Sequence, residues 1–159
     1  MRVKGTEKKS DINSRTEIVV VVSTYYSELV TDGLFQSCVE TLISHGVIES
    51  KIRKIEVPGS YELVAGALFA AKNYSADAVI CLGCVIKGET DHDSYINHAV
   101  AQGLVQLQLR FEKPFTFGLV TTNTEEQAIS RSSANEFNKG REAALASLGM
   151  IELFQSGSL

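Results

Sequence analysis

The sequence lacks long apolar runs, an excess of positive charge and a paired set of cysteines. No stretch approaches the roughly 20 apolar residues that a membrane-spanning helix needs, and residues 1–17 lack the apolar centre of a signal peptide. Three cysteines, an odd number, indicate a reducing compartment rather than a disulfide framework. A net charge of −4 argues against the basic surface that nucleic-acid binding uses. We therefore expect a soluble cytoplasmic protein with no nucleic-acid or membrane partner.

What the chain does contain is the composition of an ordinary globular domain, with 44% hydrophobic and 21% charged residues. Its 159 residues are enough for one hydrophobic core, and no internal repeat, linker or low-complexity segment divides them. Residues 1–16 are polar and predict a flexible or late-ordered N-terminal arm. A single domain is expected over residues 17–159.

Short β-branched runs alternate with amphipathic segments along the chain. The runs at residues 18–22, 51–57, 78–82 and 115–121 predict four strands, each buried on both faces as in a parallel sheet. The segments between them predict helices that cross over both faces of the sheet. The sequence therefore predicts an α/β protein, a three-layer α/β/α sandwich around a four-stranded parallel sheet.

In an open parallel sheet, ligands bind beyond the carboxyl ends of the strands. Those ends are residues 23–26, 58–62, 84–93 and 121–123. The third contains the run KGETDHD (87–93), which places one lysine, three acids and a histidine in adjacent positions. This charged run therefore lies where a site is expected.

Most of the acidic residues in this run have a structural explanation. Thr90 and Asp93 have the spacing of a capping box, and Asp91 suits the positive end of the following helix. His92 is different, because it lies in a polar loop with no apolar face to pack, and histidine is a common proton carrier in enzymes. It is either an acid–base group or an ordinary surface histidine.

The backbone of residues 88–90 opens a helix and suits an anion. Glu89 and its acidic neighbours oppose a phosphate there, since two like charges about 4 Å apart cost roughly 4 kcal/mol at an effective dielectric of 20. A phosphate site would need a cation from elsewhere. The candidates are Arg131, Lys139 and Arg141, each of which is more often a surface residue.

Other candidate residues have competing interpretations. Cys81 and Cys84 have redox spacing but continue a buried strand, and no second pair completes a zinc site, so core cysteines are the better interpretation. Glu62 either precedes a helix or contacts a ligand, and Tyr25 and Phe117 are either core aromatics or site residues. His92 and His98 lie on different faces of the predicted helix, and we expect no metal site.

Four blocks of the sequence resemble lumazine synthases in order and spacing. They are PGSYELVAGAL (58–68), DAVICLGCVIKGETDHDSYI (77–96), FTFGLVTTNTEEQAISR (115–131) and NKGREAALASL (138–148). The resemblance covers residues 17–154 and is specific, because four separate blocks agree.

The resemblance implies a flavodoxin-like fold and a transferase of riboflavin biosynthesis. Such enzymes condense 5-amino-6-(D-ribitylamino)uracil with 3,4-dihydroxy-2-butanone 4-phosphate. The product is 6,7-dimethyl-8-ribityllumazine, the immediate precursor of riboflavin. The resemblance implies no cofactor and no metal.

Roles for individual residues follow from the same resemblance. His92 matches the proton-transfer histidine, and Arg131 matches the arginine that holds the phosphate and so supplies the missing cation. Glu89 and Thr90 match the phosphate loop. The family usually has an aromatic residue after the histidine, whereas this chain has Asp93.

The pyrimidine side of the site is also implied by the resemblance. Tyr25 matches an aromatic residue that stacks on the pyrimidine, in place of the more usual Phe or Trp. Phe117, at the end of the fourth strand, matches an aromatic residue of a neighbouring subunit, and Lys139 matches a lysine near the ribityl chain. The remaining matches hold the ring and ribityl chain (Ser60, Tyr61, Glu62) or line the same pocket (Cys84, Val85, Ile86).

The resemblance further implies a homo-oligomer with shared active sites, a pentamer or a multiple of it up to a sixty-subunit shell. Riboflavin synthase is a candidate partner. The apolar stripe from Ile96 to Leu107 either packs around a ring axis or only covers its own sheet.

Two other functions compete with the lumazine synthase hypothesis. A non-catalytic flavin- or pterin-binding protein would keep the aromatic pocket but would need neither Arg131 nor His92. A flavodoxin-like electron carrier would need a Ser/Thr-rich phosphate loop after the first strand, where residues 23–27 are too few and too aromatic.

Overall fold

A four-stranded sheet forms the centre of the structure, a computed structural model that describes residues 12–157. Its strands are β1 (Ile18–Ser23), β2 (Ile52–Val57), β3 (Ala78–Ile86) and β4 (Phe115–Thr122). All neighbouring strands are parallel, in the order β2-β1-β3-β4. The predicted four-stranded parallel sheet is confirmed.

Helices cover both faces of this sheet. They are α1 (Asp32–Ser44), α2 (Leu63–Asn73), α3 (His92–Phe111), α4 (Glu125–Ser132) and α5 (Lys139–Ser156). Side chains of α1, α4 and α5 form one hydrophobic core with the sheet, and side chains of α2 and α3 form a second on the opposite face. The predicted three-layer α/β/α sandwich is therefore confirmed. No helix within residues 12–157 is long and apolar enough to cross a membrane.

The two central strands are buried on both faces, as their uninterrupted apolar sequences predict. All six residues of β1 are buried, and so are the first eight of β3. Alternate residues point in opposite directions. Val20 packs into the core beside α1 and α5, whereas Val21 packs into the core beside α2 and α3.

The prediction that every strand is buried on both faces is wrong for both edge strands: for β4, where Phe117 and Thr121 are exposed, and more fully for β2. This strand lies at the edge of the sheet and carries the exposed residues Arg53, Lys54 and Glu56. Charged side chains are typical of edge strands, where only one side of the strand needs a partner. β3 also runs further than predicted, to Ile86 instead of residue 82, so the pocket-forming end of this segment is strand rather than loop.

Helix ends agree with the sequence at some positions and differ at others. Gly46 follows the end of α1 with a φ of 102°, a left-handed conformation that glycine adopts without strain and that commonly ends helices. The capping box of Thr90 and Asp93 is wrong, because α3 begins after Asp91 and has no side-chain cap. α4 does have a side-chain cap, because the Thr124 side-chain oxygen accepts a hydrogen bond from the Gln127 N–H.

The apolar stripe of α3 covers its own sheet. Val100, Leu104 and Leu107 are buried in the core beside α2. A Cβ atom on Gly103 would lie 2.7 Å from a methyl group of Val64 on α2, so the small residue serves packing between the two helices. Of the two interpretations of this stripe, packing on its own sheet is the one that the structure supports.

The predicted N-terminal arm lies largely outside the described residues, which begin at Ile12. Residues 12–16 form a turn, in which the Thr16 N–H donates to the Asn13 carbonyl oxygen at 2.9 Å. Ile12 packs against the core beside α1 and α5, and Thr16 is buried.

Candidate active site

A cavity of about 640 Å³ opens at the carboxyl ends of β1, β2 and β3. This is the edge of the sheet where the sequence places a site. Its walls come from the segments that follow these strands and from the first turn of α3. The lining residues are Tyr25, Tyr26, Gly59, Ser60, Tyr61, Glu62, Cys84, Val85, Ile86, His92 and Ile96.

Backbone hydrogen bonds hold two of these segments together. The Thr24 N–H donates to the Val57 carbonyl oxygen at 2.8 Å, and the Tyr25 N–H donates to the Pro58 carbonyl oxygen at 3.1 Å. The pairing of β1 with β2 thus continues past the ends of both strands. It brings Tyr25, which is 64% exposed, to the same cavity as the turn that starts at Gly59.

A short helical turn over Ser60–Glu62 is attached to β3 by one buried side chain. The Ser60 hydroxyl donates to the Cys84 carbonyl oxygen at 3.2 Å. Gly83 permits this approach, because a Cβ atom there would lie 2.7 Å from the Ser60 hydroxyl oxygen. Glu62 is the last residue of the turn, and its carboxylate lies beside Gly59 at the cavity. A glycine in the middle of a buried strand is thus explained by the site.

The cysteines are structural. Cys38, Cys81 and Cys84 are all buried and unbonded to one another, which confirms that Cys81 and Cys84 are core cysteines. Burial raises the pKa of the Cys84 thiol to about 11, so it is protonated at neutral pH and a poor nucleophile. Cys84 therefore contributes shape to the cavity wall rather than covalent chemistry. Across residues 12–157, no group of three His, Cys, Asp or Glu side chains is placed to hold a metal ion.

His92 is the first residue of α3 and lies at the cavity with its side chain exposed. Ile96, one turn further along the helix, lines the same wall. The helix therefore presents an imidazole ring and an apolar side chain to the same cavity as the tyrosines that follow β1. Such a group can exchange protons with a bound molecule while water still reaches it.

Comparison with known proteins identifies the family of this chain. The family model for 6,7-dimethyl-8-ribityllumazine synthase matches residues 15–155. The chain belongs to the lumazine synthase family. The enzyme of this name from Cytophaga hutchinsonii is 41% identical over 139 residues, covering 87% of each chain. The one from Aquifex aeolicus is 39% identical and covers 86% of this chain and 88% of its own. The Bacteroides fragilis enzyme is 42% identical, covering 86% and 95%.

Five residues matched to lumazine synthases do not line this cavity: Glu89, Thr90, Phe117, Arg131 and Lys139. Glu89 and Thr90 lie in the exposed loop before His92. Phe117 is the third residue of β4, opposite Cys81, and not at the end of the strand as expected. At about 3.3 Å per residue, its level in the sheet is roughly 10 Å below that of Cys84.

The two basic residues lie on neighbouring helices away from the cavity lining. Arg131 is in the last turn of α4, and Lys139 is the first residue of α5. The Lys139 ammonium group is 2.5 Å from the Glu142 carboxylate. A single chain therefore brings Tyr25, the Ser60–Glu62 turn and His92 to one cavity, but neither Arg131 nor Lys139 lines it.

Asn138 holds these two helices together. Its side-chain oxygen accepts hydrogen bonds from the N–H groups of Gly140 and Arg141 and so caps α5. Its amide nitrogen donates to the carbonyl oxygens of Ser132 and Ser133, at 2.7 and 3.0 Å, at the end of α4. The residue is fully buried. It therefore fixes the relative placement of the helices that carry the two cations.

We expect Asn138→Ala to lower the free energy of unfolding by about 2–4 kcal/mol, because it removes a helix cap and leaves buried carbonyl groups unpaired. Urea denaturation measures this change. Asn135→Ala is the matched control, since Asn135 is exposed; its side-chain oxygen accepts from the Phe137 N–H, and its amide nitrogen donates to the Ser130 carbonyl oxygen at 3.4 Å. Equal losses in the two variants would contradict the structural role of Asn138.

Sequence reasoning missed three residues of the cavity. Ile96 has a signal, because it follows His92 by one helical turn. Gly59 adjoins the predicted segment that starts at Ser60. Tyr26 had no signal of its own, since its place in the cavity depends on an unusual backbone conformation, with φ 63° and ψ 30°.

Proposed function

We propose that this chain condenses 5-amino-6-(D-ribitylamino)uracil with 3,4-dihydroxy-2-butanone 4-phosphate to form 6,7-dimethyl-8-ribityllumazine. The observation that carries the proposal is the meeting of His92 with Tyr25 and the Ser60–Glu62 turn in one cavity of a lumazine synthase family member. The aromatic ring of Tyr25 can stack on a pyrimidine, and the polar groups of Ser60–Glu62 can bind its edge. The His92 imidazole can transfer protons between the pyrimidine amine and the ketone. The proposed location is the cytoplasm.

The reaction consists of proton transfers that His92 can serve. The pyrimidine amine attacks the ketone carbon, and an imine forms as one water leaves. Loss of a proton beside the imine lets the phosphate depart with the C–O bonding electrons. The second amine then closes the ring, and another water leaves. A positioned histidine accelerates such steps by about 10²–10⁴-fold, and holding two reactants together supplies several kcal/mol more.

The phosphate belongs, in this proposal, beside the loop that precedes His92. The N-terminus of α3 has no side-chain cap, so its first N–H groups are available to an anion. A Cβ atom on Gly88 would meet nothing within 4 Å, which leaves open space beside the loop. Arg131 supplies the positive charge that offsets Glu89 and its acidic neighbours.

A neighbouring subunit is the source of this charge. Phe117, Arg131 and Lys139 do not line the cavity of their own chain, although all three match residues of the family's site. Phe117 is 46% exposed on the edge strand β4, where a neighbour can receive it. We therefore place all three in the cavity of an adjacent subunit.

The surface of α3 supports assembly. Tyr95, Val105 and Leu109 are 73%, 54% and 74% exposed and lie on one side of the helix, away from the core. Exposed apolar stripes of this kind mark contacts between proteins. The assembly we propose is a homopentamer or a multiple of it, and native mass spectrometry should give a multiple of five.

Mixing two impaired variants tests whether the site is shared. His92→Ala and Arg131→Ala subunits, unfolded together and reassembled, form some sites with an intact His92 from one subunit and an intact Arg131 from the next. Random assembly restores about a quarter of the wild-type activity. Each variant reassembled alone is the control.

No restoration in verified mixed oligomers would place both residues in one subunit and contradict the shared site. Native mass spectrometry of differentially labelled subunits verifies the mixing.

Release of inorganic phosphate gives a first test of the reaction itself. Phosphate should appear only when both substrates are present, and in proportion to the limiting one. Phosphate release from the butanone phosphate alone would point to a phosphatase and against the condensation.

A further inference from the structure

Tyr26 has a backbone conformation that tyrosine rarely adopts. Its φ of 63° lies in the left-handed region, where a Cβ atom crowds the following carbonyl oxygen. Among residues 12–157, Glu112 is the other non-glycine residue with a positive φ, and it ends α3 on the surface. Tyr26 instead lies in the cavity. A disfavoured conformation at such a place suggests that the position of its side chain matters.

Hydrogen bonds on both sides of Tyr26 impose this conformation. The Tyr26 carbonyl oxygen accepts from the N–H groups of Val30 and Thr31, at 2.8 and 3.1 Å, which begins a π-helical turn over Ser27–Thr31. The preceding N–H, that of Tyr25, donates to the Pro58 carbonyl oxygen. The two tyrosines therefore leave the backbone in fixed directions.

The rings of the two tyrosines meet edge to face. Their centroids are 4.6 Å apart, and their planes are inclined by 81°. This is a favourable geometry for aromatic rings. The Tyr26 ring is half-buried against the core beside α1, whereas the Tyr25 ring is largely exposed. The buried ring is thus the support, and the exposed ring is the part that it orients.

The hydroxyl group of Tyr26 is also consistent with a supporting role for this residue. Burial, followed by the neighbouring Tyr25, raises the pKa of the Tyr26 hydroxyl above its ordinary value. The phenol therefore stays neutral at physiological pH and does not act as an acid or a base there. What this residue offers the cavity is a ring in a fixed place.

We propose that Tyr26 is a positioning residue that holds the Tyr25 ring in the orientation for stacking on the pyrimidine substrate. This inference rests on the proposed function for the identity of the ligand, but not for the contact between the rings. Fixing a side chain before binding removes part of the entropy cost of binding. Tyr26 therefore strengthens binding of the pyrimidine and has no effect on binding of the butanone phosphate.

Three substitutions separate the ring from the backbone. Tyr26→Phe keeps the ring and loses the hydroxyl. Tyr26→Leu loses the ring while keeping a side chain that is equally crowded in the left-handed region. Tyr26→Asn loses the ring but suits that backbone, since asparagine tolerates positive φ. Tyr74→Leu is the matched control, because Tyr74 also makes an edge-to-face contact, with Phe69, outside this cavity.

We expect the Michaelis constant for the pyrimidine to rise about three- to tenfold in Tyr26→Leu and Tyr26→Asn, the range of an aromatic pair contact. The Michaelis constant for the butanone phosphate should change less than twofold. Tyr26→Phe and Tyr74→Leu should match the wild type. If Tyr26→Asn behaves as wild type while Tyr26→Leu does not, the backbone and not the ring is responsible, and the proposal is wrong.

Crystal structures of the same variants keep the inference separate from the proposed function. The Tyr25 ring should occupy the same orientation in wild type and Tyr26→Phe, and should turn or become disordered in Tyr26→Leu. An unmoved Tyr25 ring in Tyr26→Leu overturns the inference whatever the enzyme catalyses. A wild-type protein that forms no lumazine overturns the proposed function and leaves this structural comparison decisive.

Discussion

Replacing His92 by alanine is expected to lower turnover by about ten- to a thousandfold while leaving the fold intact. The imidazole lies exposed at the cavity, at the first position of α3, so its loss removes a proton carrier without opening the core. Substrate binding and the other steps of the reaction persist, which is why some activity should remain. Steady-state rates and the melting temperature measure the two parts of this result.

His98→Ala is the matched control for His92. His98 lies in the same helix, is also exposed, and has its Nδ1 atom 3.3 Å from the Ser94 hydroxyl oxygen. It should retain wild-type turnover. An unchanged rate in His92→Ala would remove His92 from the mechanism, and a large fall in melting temperature would show that its role is structural.

Arg131→Ala should raise the Michaelis constant for the butanone phosphate by about ten- to a hundredfold, while that for the pyrimidine changes less than threefold. A charge-assisted hydrogen bond contributes about 1.5–3 kcal/mol, and the arginine also offsets the acidic residues around His92. Arg131→Lys should be intermediate, because lysine keeps the charge but not the two-pronged contact.

Arg53→Ala serves as the control for a general loss of positive charge. Arg53 is exposed on the edge strand β2, and its guanidinium group lies over the Tyr74 ring. It should leave both Michaelis constants unchanged. Equal losses for both substrates in Arg131→Ala would contradict a role in phosphate binding.

The fold could be predicted where a single physical cause, such as burial on both faces, determines the sequence of a segment. β1 reads as an uninterrupted β-branched run because both of its faces are buried, and β3 follows the same logic. The length of β3 was underestimated because Gly83 interrupts the apolar run. The glycine is explained by side chains distant in sequence, since a Cβ atom there would lie within 3.0 Å of Ser60, Leu63 and Leu119. The hydrogen bond from Ser60 to the Cys84 carbonyl oxygen joins residues 24 positions apart.

Local patterns failed where the deciding partner is distant or belongs to the backbone. The charged residues of β2 are typical of an edge strand, but its position at the edge depends on the order of the strands, which no local pattern gives. Thr90 has the right spacing for a cap, yet the chain enters α3 one residue later, at Asp91. Tyr26 joins the site through a π-helical turn that has no simple sequence pattern.

The sequence also predicted only part of the candidate site. Tyr25, Glu62 and His92 meet in one cavity because the ends of parallel strands share one edge of the sheet. Arg131 and Lys139 do not join them within one subunit. Contacts within one chain give no information on neighbouring subunits beyond exposed residues such as Phe117. The proposed roles of Phe117, Arg131 and Lys139 therefore rest on the resemblance to lumazine synthases and not on contacts within the chain.

Incubation of the purified protein with both substrates, with the product identified by mass and absorbance, shows whether the protein catalyses the condensation. We expect 6,7-dimethyl-8-ribityllumazine, formed in a one-to-one ratio with inorganic phosphate and faster than in the uncatalysed reaction. The His92→Ala protein should form the same product more slowly. Binding of the pyrimidine without any acceleration of product formation would show that the protein does not catalyse this reaction and would favour a non-catalytic pterin- or flavin-binding protein.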